Sequence, residues 1–382
     1  MDFSWSDQQI AFREEVEDFA ATLNDDLVER DRNSEFSPAL WEQCADFGVQ
    51  GMLVDKAYSG TPARPVTTAA YALEGFGYRC QDNGLALALG AQMWSVQGPI
   101  EEFGTEAQKE QYLAPMCQGD LIGVHGLTEP GSGSDAFNLS THAEPVDGGY
   151  RLNGHKHYIT LAPVADLALV FATTNPDLGK WGITAFIVEC DANGVSQSPV
   201  REKMGLRTVP IGSLTFEDCF VPEENRIGPE GAGVSIAHGS LEVERCLIFA
   251  GHLGAMQRQL EETVEFAQDR ERFGQPVGNF QSVSNRIVDM RLRIETTRLL
   301  LYKTAWLMET DQRARIETAL LKLHITESFL SSSMDAIRTR GGEGYMTADE
   351  VERDLRDAVG GVIYAGTSDL QRNIVARLLG LQ

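Results

Sequence analysis

The sequence predicts an α+β fold in three parts: an N-terminal α-helical domain (1–120), a middle β domain (121–228) of barrel or sandwich type, and a C-terminal four-helix bundle (229–382). Three observations carry this expectation. Apolar residues recur at helical spacing as far as about residue 118. Between residues 121 and 227 short β-like runs alternate with turn signals. From residue 231 the helical period returns over long stretches joined by short links, the pattern of a bundle.

Taken in order, Ser6-Asp7 can cap a helix that carries Ile10, Val16, Phe19, Ala20 and Leu23 on one side. Pro38 starts a second through Trp41, Cys44 and Phe47, and Gly48 fits its end. The stretch 58–62 is a loop. Helices are expected over 67–78 and 85–96, the latter nearly all apolar and hence buried, and over 106–117. The β-like runs are 139–143, 150–152, 155–160, 167–173, 183–189 and 214–221, with Asp147-Gly148-Gly149 and Asn153-Gly154 as hairpin-type turns. One helix is expected from about 234 to 270. The next carries Ile287, Met290, Ile294, Thr297, Leu301, Ala305 and Met308 in steps of three and four. Two more cover about 314–338 and 368–379, the last capped by Thr367 or Ser368.

Composition narrows the function. The 382 residues include 32 basic and 56 acidic side chains, a formal charge of −24. Nucleic acid needs a basic footprint, so it is excluded as a partner, and an anionic membrane surface is disfavoured. The acidity by itself reads as solubility. The six cysteines are scattered without a C-x-x-C pair and read as buried free thiols. The N-terminus has no basic region followed by an apolar core, and no apolar run approaches a membrane span. A cytoplasmic, reducing location is the expectation. The seven histidines show no metal-ligand spacing, so no metal is expected.

The stretch Leu127-Thr128-Glu129-Pro130-Gly131-Ser132-Gly133-Ser134-Asp135 follows a short apolar run. Pro130 fixes a torsion, and Gly131 and Gly133 permit conformations other residues resist. The result is a tight loop displaying hydroxyls and backbone N–H groups. It reads either as an ordinary polar turn or as one wall of a site for a planar, acceptor-rich ligand.

The same stretch resembles the flavin loop of the acyl-CoA dehydrogenase family of FAD flavoproteins. The likeness continues through Asn153-Gly154-His155-Lys156-His157-Tyr158-Ile159-Thr160, Arg270-Glu271-Arg272-Phe273-Gly274 with Phe280-Gln281, Gly341-Gly342-Glu343-Gly344, and the run 364–372 beginning Tyr364-Ala365-Gly366-Thr367. The family's order of α, β and α domains agrees with the order read above. The resemblance implies FAD as cofactor. It implies that Leu127 and Thr128 contact the flavin, that Ser134 binds a phosphate, and that Tyr158 and Thr160 lie against the ring. Tyr158 stands where the family usually has Trp. Arg270, Phe273 and Gln281 would reach the FAD of a neighbouring subunit in a homo-oligomer, dimer or tetramer. Gly342, Thr367 and Asp369 would complete the contacts. Arg338 departs from the family's usual Gln, and either pairs with the pyrophosphate or points away.

The family removes the α-proton of an acyl thioester with a carboxylate while the β-hydrogen leaves as hydride. In many members that carboxylate precedes the Gly-Thr of the C-terminal element, but here the position is Ala365. A second group, which includes isovaleryl- and long-chain-type dehydrogenases, carries it on the first long bundle helix, and Glu244 falls there. Helical spacing sets Glu244 with Ser240 and Ile248, and sets Glu242 on nearly the opposite side, so only one of the two can face a given cleft. The bland reading of Glu244 is a solvated glutamate beside Arg245. The resemblance implies the catalytic base, with Arg245 orienting the substrate and Ala365 still offering its backbone N–H to the thioester oxygen.

The stretches 174–189 and 278–290 further resemble the subgroup that oxidises carrier-protein-bound substrates in secondary metabolism, the L-prolyl-carrier-protein dehydrogenases among them. The resemblance therefore implies an acyl- or aminoacyl-carrier protein as partner, with a short- or branched-chain acyl-CoA as the alternative substrate. A flavin-binding protein without activity is the alternative of another class, suggested by Ala365.

Overall fold

A computed structural model describes residues 4–310 and 312–381. Helices run from Asp7–Ala21 to Glu106–Cys117. Ser6 caps the first by a capping box with Gln9. Pro38 opens the helix Pro38–Phe47, and Gly48 closes it in the left-handed region. The nearly apolar helix Asn83–Gln92 does not continue regularly to residue 96. It passes into a π-helical turn, Met93–Gln97, and then into Gly98–Phe103.

The strands Val195–Gln197, Ile211–Pro222, Gly149–Thr160, His142–Val146, Leu167–Thr173, Ile183–Glu189 and Arg226–Ile227 lie in that order in one sheet. Gly123–Gly126 adds to it parallel to Leu167–Thr173. Along that strand Ala168, Val170 and Ala172 enter one hydrophobic core while Leu167, Leu169 and Phe171 enter another. Burial on both faces explains its uninterrupted apolar sequence.

Several expectations are corrected. Asn153-Gly154 makes no turn, because the residues on both sides pair with the same partner strand, Ile211–Pro222, in the single long strand Gly149–Thr160. Glycine is needed at 154 for close approach: a Cβ there would lie 2.4 Å from Thr141 Oγ1. The run at 139–143 pairs only from His142 onward, in His142–Val146. The helix expected over 234–270 is two, Gly233–Leu247 and Ala250–Asp269. No proline marks the break, at which Phe249 stacks on Tyr364, with ring centroids 5.1 Å apart. The helix Val351–Gly361 lies outside the sequence expectation; it buries Arg353, Asp354 and Asp357 together with Ala358 and Gly361.

Two contacts fix the frame around the site. The N-terminal helix Val66–Arg79 packs backbone to backbone on Ala250–Asp269. A Cβ on Gly77 would lie 2.1 Å from Gly251 O, and one on Gly254 would lie 2.0 Å from Glu74 O. In the sheet, the fully buried Lys156 pairs with Glu129 of the 127–135 loop at 2.7 Å. Its Nζ also donates to Leu127 O. The same carboxylate accepts from Ser140 N at 2.6 Å and Thr141 N at 3.0 Å. Lys156 and these donors hold the Glu129 carboxyl down to about 2 against the cost of burial.

Two outcomes are expected. Gly254→Ala, which drives a Cβ into backbone, should lower stability by about 1–3 kcal/mol in denaturant unfolding. Lys156→Met leaves Glu129 buried without its cation and should cost about 3–5 kcal/mol, part of which Glu129→Gln in the same chain should restore. Because the folded Glu129 carboxyl lies below its ordinary 4.5, its contribution is present above about pH 4.5 and is lost as pH falls toward 2. Lys156→Met removes this acid-sensitive term, so its deficit against the wild type should be largest near neutral pH and should shrink as pH falls and the unpaired Glu129 takes up a proton.

Candidate active site

A cavity of about 650 Å³ opens where the sheet meets the helices on either side of it. The loop supplies Thr128, Gly133 and Ser134, and the strand Gly149–Thr160 supplies Tyr158, Ile159 and Thr160. Pairing slips between Lys156 and Ile159. Tyr158 there takes φ +56° and is 61% exposed, so that the strand turns an aromatic ring outward. The loop is tied to this strand by His157 N, which donates to Thr128 O at 2.8 Å.

The helix Gly233–Leu247 brings Glu244 to the same cavity. Its buried face includes Ile236, Ala237, Ser240 and Glu244, the side that the helical spacing identifies. Glu244 is only 8% exposed, whereas Glu242 faces outward and pairs with Arg315 at 2.9 Å. Burial pushes the Glu244 carboxyl above 4.5, and Arg245, the Ser95 hydroxyl and Lys322 oppose this by favouring the anion. Lys322 is itself buried, with Nζ 5.6 Å from the Phe249 ring centroid and its ammonium held down to about 8.

Arg245 reaches across the helices, and its Nε donates to Ala365 O at 3.0 Å. Ala365 has φ +53°, and its carbonyl also accepts from Gln371 Nε2. The following helix, Ser368–Leu378, is capped by Thr367. Ala365 and Thr367 both line the cavity.

Thr128, Ser134, Tyr158, Thr160, Glu244, Ala365 and Thr367 thus meet in one space. Leu127 is buried beneath the loop, in the second core. The remaining candidates lie elsewhere on the chain. Arg270 pairs with Glu343 at 2.5 Å, beside Gly342. Phe273 is 96% exposed, and Gln281 opens the helix Gln281–Glu309 at the surface. Arg338 is exposed and leans toward Asp335 at 3.7 Å. Asp369 is exposed and bonds Arg372.

Ser95 and His125 are among the cavity residues that escaped the sequence reading. Ser95 lies within the π-helical turn, a local widening that often marks functional sites and that has no signature in the apolar run. His125 lies two residues before Leu127 on the strand Gly123–Gly126. Strand alternation from Leu127 is the signal that would have found it.

Family profiles match nearly the whole chain: the acyl-CoA dehydrogenase N-terminal domain over residues 6–120, the middle domain over 125–219 and the C-terminal domain over 231–380. An L-prolyl-(peptidyl-carrier protein) dehydrogenase of Pseudomonas fluorescens is 42% identical over 347 residues, 91% of each chain. Among solved structures, the prolyl acyl carrier protein oxidase AnaB superposes with a TM-score of 0.97 at 43% identity, covering 99% of this chain and 100% of that one. PigA with FAD and proline does so with a TM-score of 0.97 at 37% identity, covering 100% of both chains. The chain belongs to the acyl-CoA dehydrogenase family and is an FAD-dependent oxidoreductase.

Proposed function

We propose that this protein dehydrogenates the α,β-bond of an acyl or aminoacyl thioester presented on a carrier protein, with a prolyl-type group as substrate. The observation that carries this reading is the placing of a buried carboxylate, Glu244, in one cavity with the loop and strand hydroxyls, at a site where Ala365 offers no carboxylate. The relatives named for prolyl carrier-protein chemistry support the choice of substrate.

The residues present suit FAD. A flat ring needs an apolar wall and a few hydroxyl or N–H donors at its edges, and the cavity has Tyr158 and Ile159 on the strand with Thr128, Ser134 and Thr160 around them. When bound, FAD supplies the acceptor for the β-hydrogen and its electron pair. Thr128 and Thr160 would orient the ring and Ser134 would hold a phosphate. Glu244 takes the α-proton on its carboxylate as the carbon–carbon double bond forms. A shielded carboxylate with a raised pKa is the stronger base toward such a carbon. Arg245 and Gln371 bind the Ala365 carbonyl and so hold the residue whose own N–H, on the preceding peptide, would bond the thioester oxygen as negative charge develops there.

Arg270, Phe273, Gln281, Arg338, Gly342 and Asp369 fit a role in a homo-oligomer, where they would complete a neighbour's FAD site. The exposed Phe273 and the outward Val288, Leu292 and Leu299 of one helix supply an apolar face for such an assembly.

The test is anaerobic flavin bleaching. The holoenzyme should be bleached by prolyl-loaded carrier protein. Bleaching by free acyl-CoA at catalytic rates would overturn the carrier assignment, and no bleaching by either would overturn the dehydrogenase. Glu244→Gln should keep FAD and lose about 10²–10⁴-fold in rate. Since burial raises the Glu244 carboxyl, kcat/KM should fall as pH drops through a value above 4.5, where Glu244 takes up its proton.

A further inference from the structure

The cavity is lined by an imidazole that the mechanism leaves idle. His125 lines it together with Leu87, Ala91, Ile159 and Ile248, all apolar, and with Ser95, whose hydroxyl is engaged by Glu244. The backbone around His125 is committed to sheet pairing, in register with Leu169. Its side chain packs against Phe171, with ring centroids 5.1 Å apart. Its Nε2 is shielded from solvent and has no hydrogen-bond partner among the described residues. Phenylalanine would fill this place with no polar atom left over. Native proteins rarely leave a buried polar atom unpaired, and an unpaired ring nitrogen on a residue that borders a ligand cavity points to a ligand as the partner of that ring.

Resting on the thioester-dehydrogenase reading, we propose that His125 is the specificity residue for the acyl group: its imidazole hydrogen-bonds the ring N–H of a cyclic aminoacyl thioester and so selects that group over a carbocycle of the same shape.

The charge state suits the task. Burial and the nearby Lys156 ammonium hold the imidazole down to about 4, so it is neutral at pH 7. A neutral imidazole keeps one lone pair that accepts an amine N–H, and it does not repel an amine that carries a proton. The polar groups of the site then divide the substrate between them. Glu244 serves the α-hydrogen, Ala365 N–H serves the thioester oxygen, and His125 serves the ring nitrogen. A site built to bond a substrate N–H rejects the analogue that lacks it much more strongly than an apolar pocket rejects a missing methylene.

The experiment compares prolyl and cyclopentanecarbonyl thioesters on the same carrier protein, using the holoenzyme. The wild type should favour prolyl in kcat/KM by about 100-fold or more. His125→Phe should shrink that ratio to about tenfold or less, chiefly through loss on prolyl, with the flavin absorbance spectrum unchanged. His125→Asn, which keeps a hydrogen-bonding group, should retain more of the preference than Phe. An unchanged ratio in His125→Phe would overturn the proposal. So would an equal fall on both substrates with a shifted flavin spectrum, which would assign the imidazole to the cofactor instead. Equilibrium binding of the two thioesters, read from flavin absorbance in the Glu244→Gln holoenzyme, separates this proposal from the reading beneath it. Failure of turnover in the wild type overturns the dehydrogenase. Absence of a binding preference that His125→Phe abolishes overturns the role of His125.

Discussion

The buried ion pair between Glu129 and Lys156 is the constraint on which the site depends. It joins a loop to a strand that the chain reaches some twenty residues later. A buried pair of this kind adds little net stability over an apolar replacement, but removing one member leaves an uncompensated charge. Its value here is positional. Lys156 holds Leu127 O as well as Glu129, and Glu129 collects Ser140 and Thr141. The loop hydroxyls are therefore set against the Tyr158–Thr160 wall by the sheet interior, and the loop's own glycines only permit the path. The same ammonium helps to keep His125 neutral, so one charge shapes both the loop and the floor of the cavity.

Much of this was legible in sequence, for reasons that are local. Ser6, Gly48 and Thr367 mark helix ends through hydrogen bonds made within a few residues, Pro38 does so through its fixed torsion, and each acts as its identity suggests. Periodicity gave the succession of helices, strands and helices because one face of most elements is apolar. What failed to show was tertiary. Asn153-Gly154 carries a turn signal, yet a partner strand pairs on both sides of it and Gly154 answers to Thr141 instead. The helix Val351–Gly361 buries Arg353, Asp354 and Asp357 beside Ala358. Asn83 bonds both aspartates, and Leu206 N donates to Asp357. The resemblance, and no spacing rule, named most of the cofactor candidates. It could not name Ser95 or His125, because their importance lies in what they face across the cavity.

The choice between Glu242 and Glu244 shows how far a helical wheel can go. Spacing establishes that the two diverge, and burial decides which one turns inward. Glu242 finds Arg315 at the surface and keeps its water. Glu244 has lost nearly all of its water, with the Ser95 hydroxyl as its bonded partner and Arg245 and Lys322 supplying nearby positive charge. Desolvation works against the anion and is the larger effect, and these three groups oppose it. A carboxylate raised in this way binds a proton more strongly, as a base toward a weakly acidic carbon must.

The absence of a carboxylate at Ala365 then ceases to be a defect. That residue holds φ +53°, a conformation unfavourable for any side chain beyond Cα, and its carbonyl is bound by Arg245 from one helix and by Gln371 from another. The residue is held through its backbone carbonyl, and its methyl side chain packs against the core. Arg245 is the next residue after Glu244, so a single turn of helix carries both the carboxylate and the guanidinium that anchors the opposite wall. Moving the base onto that turn couples the two sides of the cleft. A shift of that helix would act on the base directly and on the Ala365 carbonyl through Arg245.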